Sequence, residues 1–298
     1  MQTIVKSLLV SFFFLLTSFS FGQSATDKFV VVLDAGHGGR APGNIGNGYR
    51  EKNITLKIIL AVGKNLERHN DIELIYTRKT DVNIKLIDRA AIANKANADL
   101  FVSVHCDAWT KSSVYGASTF VLGLHKNAAN LEIAKKENSE IFLEEDYEKN
   151  YGGFDPNSPE SLLGLTLMQE DYLDQSILLA TAVQDNFINR LKRKNRGVKQ
   201  AGFWVLHNTY MPSVLIETGF LTNKTEGAYL SSKKGQKQIA KSISDAILKY
   251  KESLNTSFDD AVVIEDSSDS VKNPIPNSEI VFKVQIAAGS RKLETKPY

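Results

Sequence analysis

Three apolar runs share one arrangement: aliphatic residues that stop abruptly at a polar, chemically capable side chain. Val30-Val31-Val32-Leu33 has no polar interruption and leads into Asp34-Ala35-Gly36-His37-Gly38-Gly39. Consecutive valines resist helix at χ1 and read as a buried strand, and the glycines let the backbone turn tightly and approach a ligand. Leu100-Phe101-Val102-Ser103-Val104-His105 repeats the arrangement, as does Ser213-Val214-Leu215-Ile216-Glu217 before Thr218-Gly219. Runs over 72–76, 116–122 and 203–206 predict three further strands. Between them the period changes. Ile54, Ile58, Val62 and Leu66 fall four apart behind Asn53, a candidate N-cap, so Glu51 precedes a helix start where the dipole favours a carboxylate. Residues 86–96, 173–193 and 236–251 predict three more helices, with Arg89 available to project from the first of these.

Strands alternating with helices predict an α/β fold in which the strand ends share one edge of the sheet. A long acidic and polar insertion, about 126–176, interrupts this alternation and carries Glu132, Glu137, Glu140, Glu144, Glu145, Asp146 and Glu148. Its first part has helical composition, Tyr151-Gly152-Gly153-Phe154-Asp155-Pro156 breaks it, and Ser158 restarts it. An excursion of this length within a compact domain reads as a lid or regulatory element.

The ends of the chain set its compartment. Lys6 precedes an apolar stretch over 8–21 that is short for a membrane span, and Ser20-Phe21-Gly22 offers small residues at the positions a signal peptidase reads. Residues 1–22 are therefore expected to be a signal peptide, with the folded part exported to the periplasm or cell-wall compartment and no stable membrane insertion after cleavage. The catalytic domain is expected over 27–252. Residues 253–279, rich in Ser, Asp, Asn and Pro, read as a disordered linker, and 280–298 as an incomplete C-terminal segment.

Composition narrows the chemistry. With 298 residues and 42% hydrophobic content the chain can bury a large core, and a formal charge of +2 argues against a nucleic-acid binder. The basic cluster from Arg190 to Arg196 reads as a solvated helix end. A single cysteine, Cys106, excludes an internal disulfide and a cysteine-rich metal site, and its place after an apolar strand predicts a buried thiol. What remains is a set of strand-end residues, His37, His105 and Glu217, with Glu51 on the connection after the first strand. If the strands are parallel neighbours, these four converge. Two histidines and a carboxylate form the ligand set of many catalytic zinc sites, and imidazole argues against oxygen-only Ca²⁺ or Mg²⁺ cages. Asp34 has two readings, orienting His37 or forming the turn. His69, at a helix end before Asn70-Asp71, reads as a partner of the helix dipole, and no role falls to His125 or His207.

The segments Val32 to Gly39, Glu51-Lys52-Asn53, Phe101 to His105 and Leu215 to Asn223 resemble the zinc-dependent N-acetylmuramoyl-L-alanine amidases of the amidase-3 type. The resemblance covers about residues 29–250. It implies a mostly parallel sheet of about six strands flanked by helices, one zinc ion held by His37, Glu51 and His105, and Glu217 as the catalytic carboxylate. The implied reaction is hydrolysis of the amide between the lactyl group of muramic acid and L-alanine in peptidoglycan. In some members of this family an inserted helix places a carboxylate on the metal's open position. The acidic run over 132–148 is a candidate for that role, with a partner protein needed to withdraw it; the alternative is a plain substrate-side loop. Val281 to Ile286 is similar to the opening strand of a SPOR-type glycan-binding domain. The competing readings are another secreted zinc hydrolase, a peptidase or deacetylase, and a catalytically silent wall-binding regulator. The chain lacks His-Glu-x-x-His, and it retains Glu217, which a degenerate copy would be expected to lose.

Overall fold

The computed structural model describes residues 28–124, 128–158, 161 and 170–262. The strands are β1 (Phe29–Ala35), the short hairpin β2 (Ile45–Gly46) and β3 (Tyr49–Arg50), β4 (Ile72–Tyr76), β5 (Leu100–Asp107), β6 (Ala117–Leu122), β7 (Asn195–Ala201) and β8 (Ser213–Phe220). The helices are α1 (Glu51–Leu66), α2 (Leu86–Lys95), α3 (Ala128–Asn138), α4 (Tyr147–Asn150), α5 (Leu173–Asn189), α6 (Trp204–His207), α7 (Lys224–Ser231) and α8 (Lys233–Val262). Six strands form one mixed sheet in the order β4-β1-β5-β8-β6-β7, in which only the β6–β8 pairing is antiparallel. The expected α/β architecture, mostly parallel with flanking helices, is what the chain forms.

Residue alternation along the central strands decides which side of the sheet carries chemistry. Val31, Leu33 and Ala35 of β1, Val102, Val104 and Cys106 of β5, and Val214 and Ile216 of β8 pack into a core with α1, α5 and α8. The intervening residues Val32, Phe101 and Leu215 enter a second core, where they meet Ile133, Ala134, Ile141, Tyr151 and Phe154 of the insertion and Phe203 and Trp204. A strand presents every second residue to one face. The face turned to the insertion therefore also carries Asp34, Ser103, His105, Asp107 and Glu217. All five are buried, as is the free thiol of Cys106.

Four expectations about elements need correction. The run over 203–206 is helical, because four apolar residues buried on every side carry no period that separates strand from helix. A strand was not expected over 195–201. β7 is polar and only half-buried, as a charged edge strand is, so it leaves no hydrophobic signature. Helix α1 begins at Glu51 behind Arg50, two residues before the expected cap at Asn53. The final helix also runs to Val262, past the expected linker start at 253. The signal-peptide segment 1–22 and the C-terminal segment 280–298 lie outside the described residues. No described helix is long and apolar enough to cross a membrane.

Candidate metal centre and active site

The site begins with a strained turn that two arginines hold. His37 takes a positive φ of 60°, which costs a non-glycine residue about 1–2 kcal/mol. Arg89, far from projecting into solvent, is buried and donates to the carbonyls of Ala35 (2.8 Å) and His37 (3.0 Å). Arg78 donates to those of Ala35 (2.9 Å) and Gly36 (2.8 Å). These bonds fix the direction in which the His37 ring leaves the backbone. Two glycines are required by close approach: a Cβ on Gly36 would overlap the His105 ring, and one on Gly43 would overlap His37 and Glu51.

Glu51 lies at the first turn of α1 and is fully buried. Its Oε2 accepts from the Asn44 backbone amide (2.7 Å) and its Oε1 from that of Cys106 (2.8 Å). Each oxygen also faces an imidazole, Oε2 at 3.2 Å from His37 Nε2 and Oε1 at 3.1 Å from His105 Nδ1. Burial alone would raise its pKa. The two histidines outweigh that and hold the carboxyl well below the ordinary carboxylate range.

A fourth donor comes from the insertion. Glu137 Oε2, at the end of α3, stands 3.1 Å from His37 Nε2 and 3.1 Å from His105 Nδ1. One ligand atom from each of His37, Glu51, His105 and Glu137 lies within 4.8 Å of all the others, and all four residues are buried. His37 Nε2 and Glu137 Oε2 are buried without a partner in hydrogen-bond geometry despite their proximity. Their separation is near the roughly 3.4 Å expected between two donors each about 2.1 Å from one tetrahedral ion. The electrostatics point the same way. Burial opposes charging the imidazoles, yet Glu51, Glu137 and Glu140 raise His37 well above its ordinary value, and Glu137 and Glu51 lift His105 to about 9. The cluster draws positive charge inward, and a dication satisfies two carboxylates and two neutral imidazoles as protons do. The residues fit a metal ion.

The insertion is docked over the site by more than Glu137. Glu140 Oε2 is 2.7 Å from His37 Nδ1, the ring nitrogen turned away from the cluster, and its Oε1 is 3.6 Å from Arg89. Glu144 accepts from the backbone amide of Leu86 (3.1 Å) at the start of α2, which has no side-chain cap of its own, and from the Tyr151 hydroxyl (2.8 Å). Asn138 donates to the Gly202 carbonyl (2.7 Å) and accepts from the Trp204 amide (2.8 Å).

Glu217 belongs to the same neighbourhood but not to the cluster. It is the register partner of His105 across β5 and β8, is 1% exposed, and neither carboxylate oxygen has a hydrogen-bond partner among the described residues. Burial and the carboxylates of Asp107, Glu137 and Glu51 push its pKa well above the ordinary value. It is thus a buried carboxyl group beside the donor cluster and not one of its donors.

The structure brings together all four side chains singled out from the sequence, His37, Glu51, His105 and Glu217. It separates Asp34 from the role of orienting His37. Asp34 accepts from Thr77 (2.6 Å), Arg89 (2.8 Å) and Ser103 (2.6 Å), and the Ser103 hydroxyl lies 3.1 Å from His105 Nε2. Its link therefore runs through Ser103 to the other imidazole. Sequence reasoning marked the acidic run without separating Glu137, Glu140 and Glu144. Their spacing of three and four residues, which places side chains on one helix face, was the available signal. The roles of Asn44, Arg78 and Asp107 had no local signal.

Comparison with known proteins follows from this geometry. A family model described as N-acetylmuramoyl-L-alanine amidase matches residues 31–249. The N-acetylmuramoyl-L-alanine amidase AmiA of Escherichia coli is 35% identical over 230 residues, covering 75% of this chain and 76% of that protein. The solved structure of N-acetylmuramoyl-L-alanine amidase AmiC2 of Nostoc punctiforme is similar at a TM-score of 0.56 and 28% identity, over 75% of this chain and 97% of that one. The CwlD amidase of Clostridioides difficile, solved in complex with the GerS lipoprotein, is similar at a TM-score of 0.56 and 26% identity, over 76% of this chain and 100% of that one.

Proposed function

The chain belongs to the N-acetylmuramoyl-L-alanine amidase family, and from that membership we propose that His37, Glu51 and His105 hold one zinc ion and that Glu217 moves the proton in cleavage of the bond between muramic acid and L-alanine. Zinc in such a site supplies Lewis acidity and a nucleophile at neutral pH. The observation that carries the assignment is the contrast between the two buried glutamates. Glu51 is fixed by two backbone amides and turned to both imidazoles, whereas both Glu217 oxygens are free beside the cluster. Glu217 takes a proton from the attacking water and returns it to the departing amine. Asp34, through Ser103, holds the His105 ring with one nitrogen toward the cluster.

The substrate on this reading is peptidoglycan, and the N-terminal segment exports the enzyme to it. The insertion is autoinhibitory: with a metal bound, Glu137 would be a further donor to it and would exclude water, and Glu140 holds the same segment against His37 and Arg89. A partner protein that withdraws α3 restores access. The test of the chemistry is a zymogram on purified sacculi before and after chelation and zinc return, with product analysis. Free L-alanine amines on released stem peptides beside intact glycan strands support the reading. Release of acetate, or shortened stems still attached to glycan, refutes it in favour of a deacetylase or peptidase.

A further inference from the structure

Two residues beyond His105, β5 presents another carboxylate to the same face. Asp107 is 3% exposed, and its Oδ1 accepts from the backbone amide of Ala108 (2.7 Å). Its Oδ2 is buried with no hydrogen-bond partner among the described residues, a costly condition for a carboxylate oxygen. Asp107 is not among the four donors of the cluster. It lines a groove of about 700 Å³ whose walls include Ile45, Trp109, Ile133 and Lys136. The groove is therefore roomy where the metal cluster is closed, and the Asp107 carboxylate on its wall is near enough to Glu217 to raise that residue's pKa.

The insertion shows what that groove receives. Lys136 lines it, while the adjacent residue, Glu137, places its carboxylate in the donor cluster. Consecutive residues thus place a carboxylate in the cluster and a lysine on the wall of the groove of Asp107. Hydrolysis of an amide yields the same pair, a carboxylate on one fragment and an amine on the other, and the amine of an amino acid is largely protonated at pH 7.

Building on the amidase reading, we propose that Asp107 is the binding residue for the amine half of the scissile bond. Its free oxygen accepts from the L-alanine N–H of the substrate and from the ammonium released, and Lys136–Glu137 imitate the product pair in the closed enzyme. Asp107→Asn is the informative variant, because it keeps an acceptor for Ala108 and removes the charge. Full-length, zinc-loaded protein carrying Glu137→Ala, so that the cluster is open, is titrated calorimetrically with L-alanyl-D-isoglutamine and with its N-acetylated form, with and without Asp107→Asn. A charged hydrogen bond supports a preference of about tenfold or more for the free amine. That preference is expected to fall to within about twofold in the Asn variant, at unchanged zinc content and thermal midpoint. Lys136→Ala supplies a second measurement that leaves Asp107 intact. It is expected to tighten amine binding when Asp107 is present and to have no effect beside Asp107→Asn. Equal binding of the two peptides by the Asp107 protein, or an amine preference that survives Asp107→Asn, overturns the assignment. Because these titrations need no turnover, a protein that binds the amine selectively but leaves N-acetylmuramoyl dipeptide uncleaved refutes the amidase chemistry and not the subsite.

Discussion

Glu137→Ala is the perturbation on which the autoinhibitory reading stands. Glu137 places one oxygen 3.1 Å from each imidazole, and only 6% of the residue is exposed. Its carboxyl is held at about 2 because, although burial and Glu51 oppose ionisation, the two histidines favour it more. Neither contact has hydrogen-bond geometry, but breaking a buried ion pair by removing one partner costs about 3–5 kcal/mol, so Glu137 is worth about 3 kcal/mol to the closed state. That is about a hundredfold in the closed-to-open ratio. Glu140, Glu144 and Asn138 keep their own polar contacts, and the rest of the attachment is apolar. Ile133, Ile141, Tyr151 and Phe154 stay buried against Phe203, Trp204 and the sheet, at about 1.5–3 kcal/mol each. The variant should therefore stay folded and release the metal's fourth position. Dye release from labelled sacculi, without any partner, is expected to rise by up to about a hundredfold at equal zinc content. Glu137→Gln, which keeps shape and loses charge, should give a smaller rise. A folded, fully zinc-loaded Glu137→Ala protein with activity equal to or below that of the native chain would refute the reasoning.

Other predictions follow from the same geometry. Gly36→Ala should displace the His105 ring and lower zinc affinity about tenfold or more while the circular dichroism spectrum stays native, measured by competition with a chromogenic chelator. Glu217→Gln should reduce kcat by about 10²–10⁴ and keep zinc. Because burial and neighbouring carboxylates raise the folded-state pKa of Glu217, its contribution to stability is present at low pH and lost as pH rises. The metal-free Gln variant should thus gain stability over the native chain as pH climbs above about 4.3, read by denaturant titration across pH. Asp34 behaves oppositely. Burial alone would raise its pKa, but Arg89, Ser103 and Thr77 hold it below the ordinary value, so its stabilisation is complete above about pH 4 and lost as acid protonates it. Asp34→Asn should cost about 3 kcal/mol at pH 7, with Arg89 left buried opposite a neutral amide, and the deficit should shrink below pH 4.

Much of this protein was legible along the chain. Uninterrupted runs into His37, His105 and Glu217 identified central strands because a strand buried on both faces needs apolar residues throughout, and any polar side chain at its end stands out. The same signal failed at β7, whose residues meet solvent at the sheet edge, and at α6, a short run buried on all sides. Glu51 opens α1 behind Arg50 rather than preceding a cap at Asn53, because the helix starts without any side-chain cap and leaves no capping signature.

The sequence by itself determined the α/β alternation, the donor types and the presence of an acidic insertion, since each depends on local period and side-chain chemistry. Only the tertiary structure decided that Glu137 rather than another acid of the run meets the imidazoles, that Asp34 serves His105 through Ser103, and that Asp107 keeps an oxygen free beside a groove. These are matters of which distant side chains share a few ångströms. That depends on the register of β5 against β8 and on the docking of α3, which apolar contacts far from the chemistry determine.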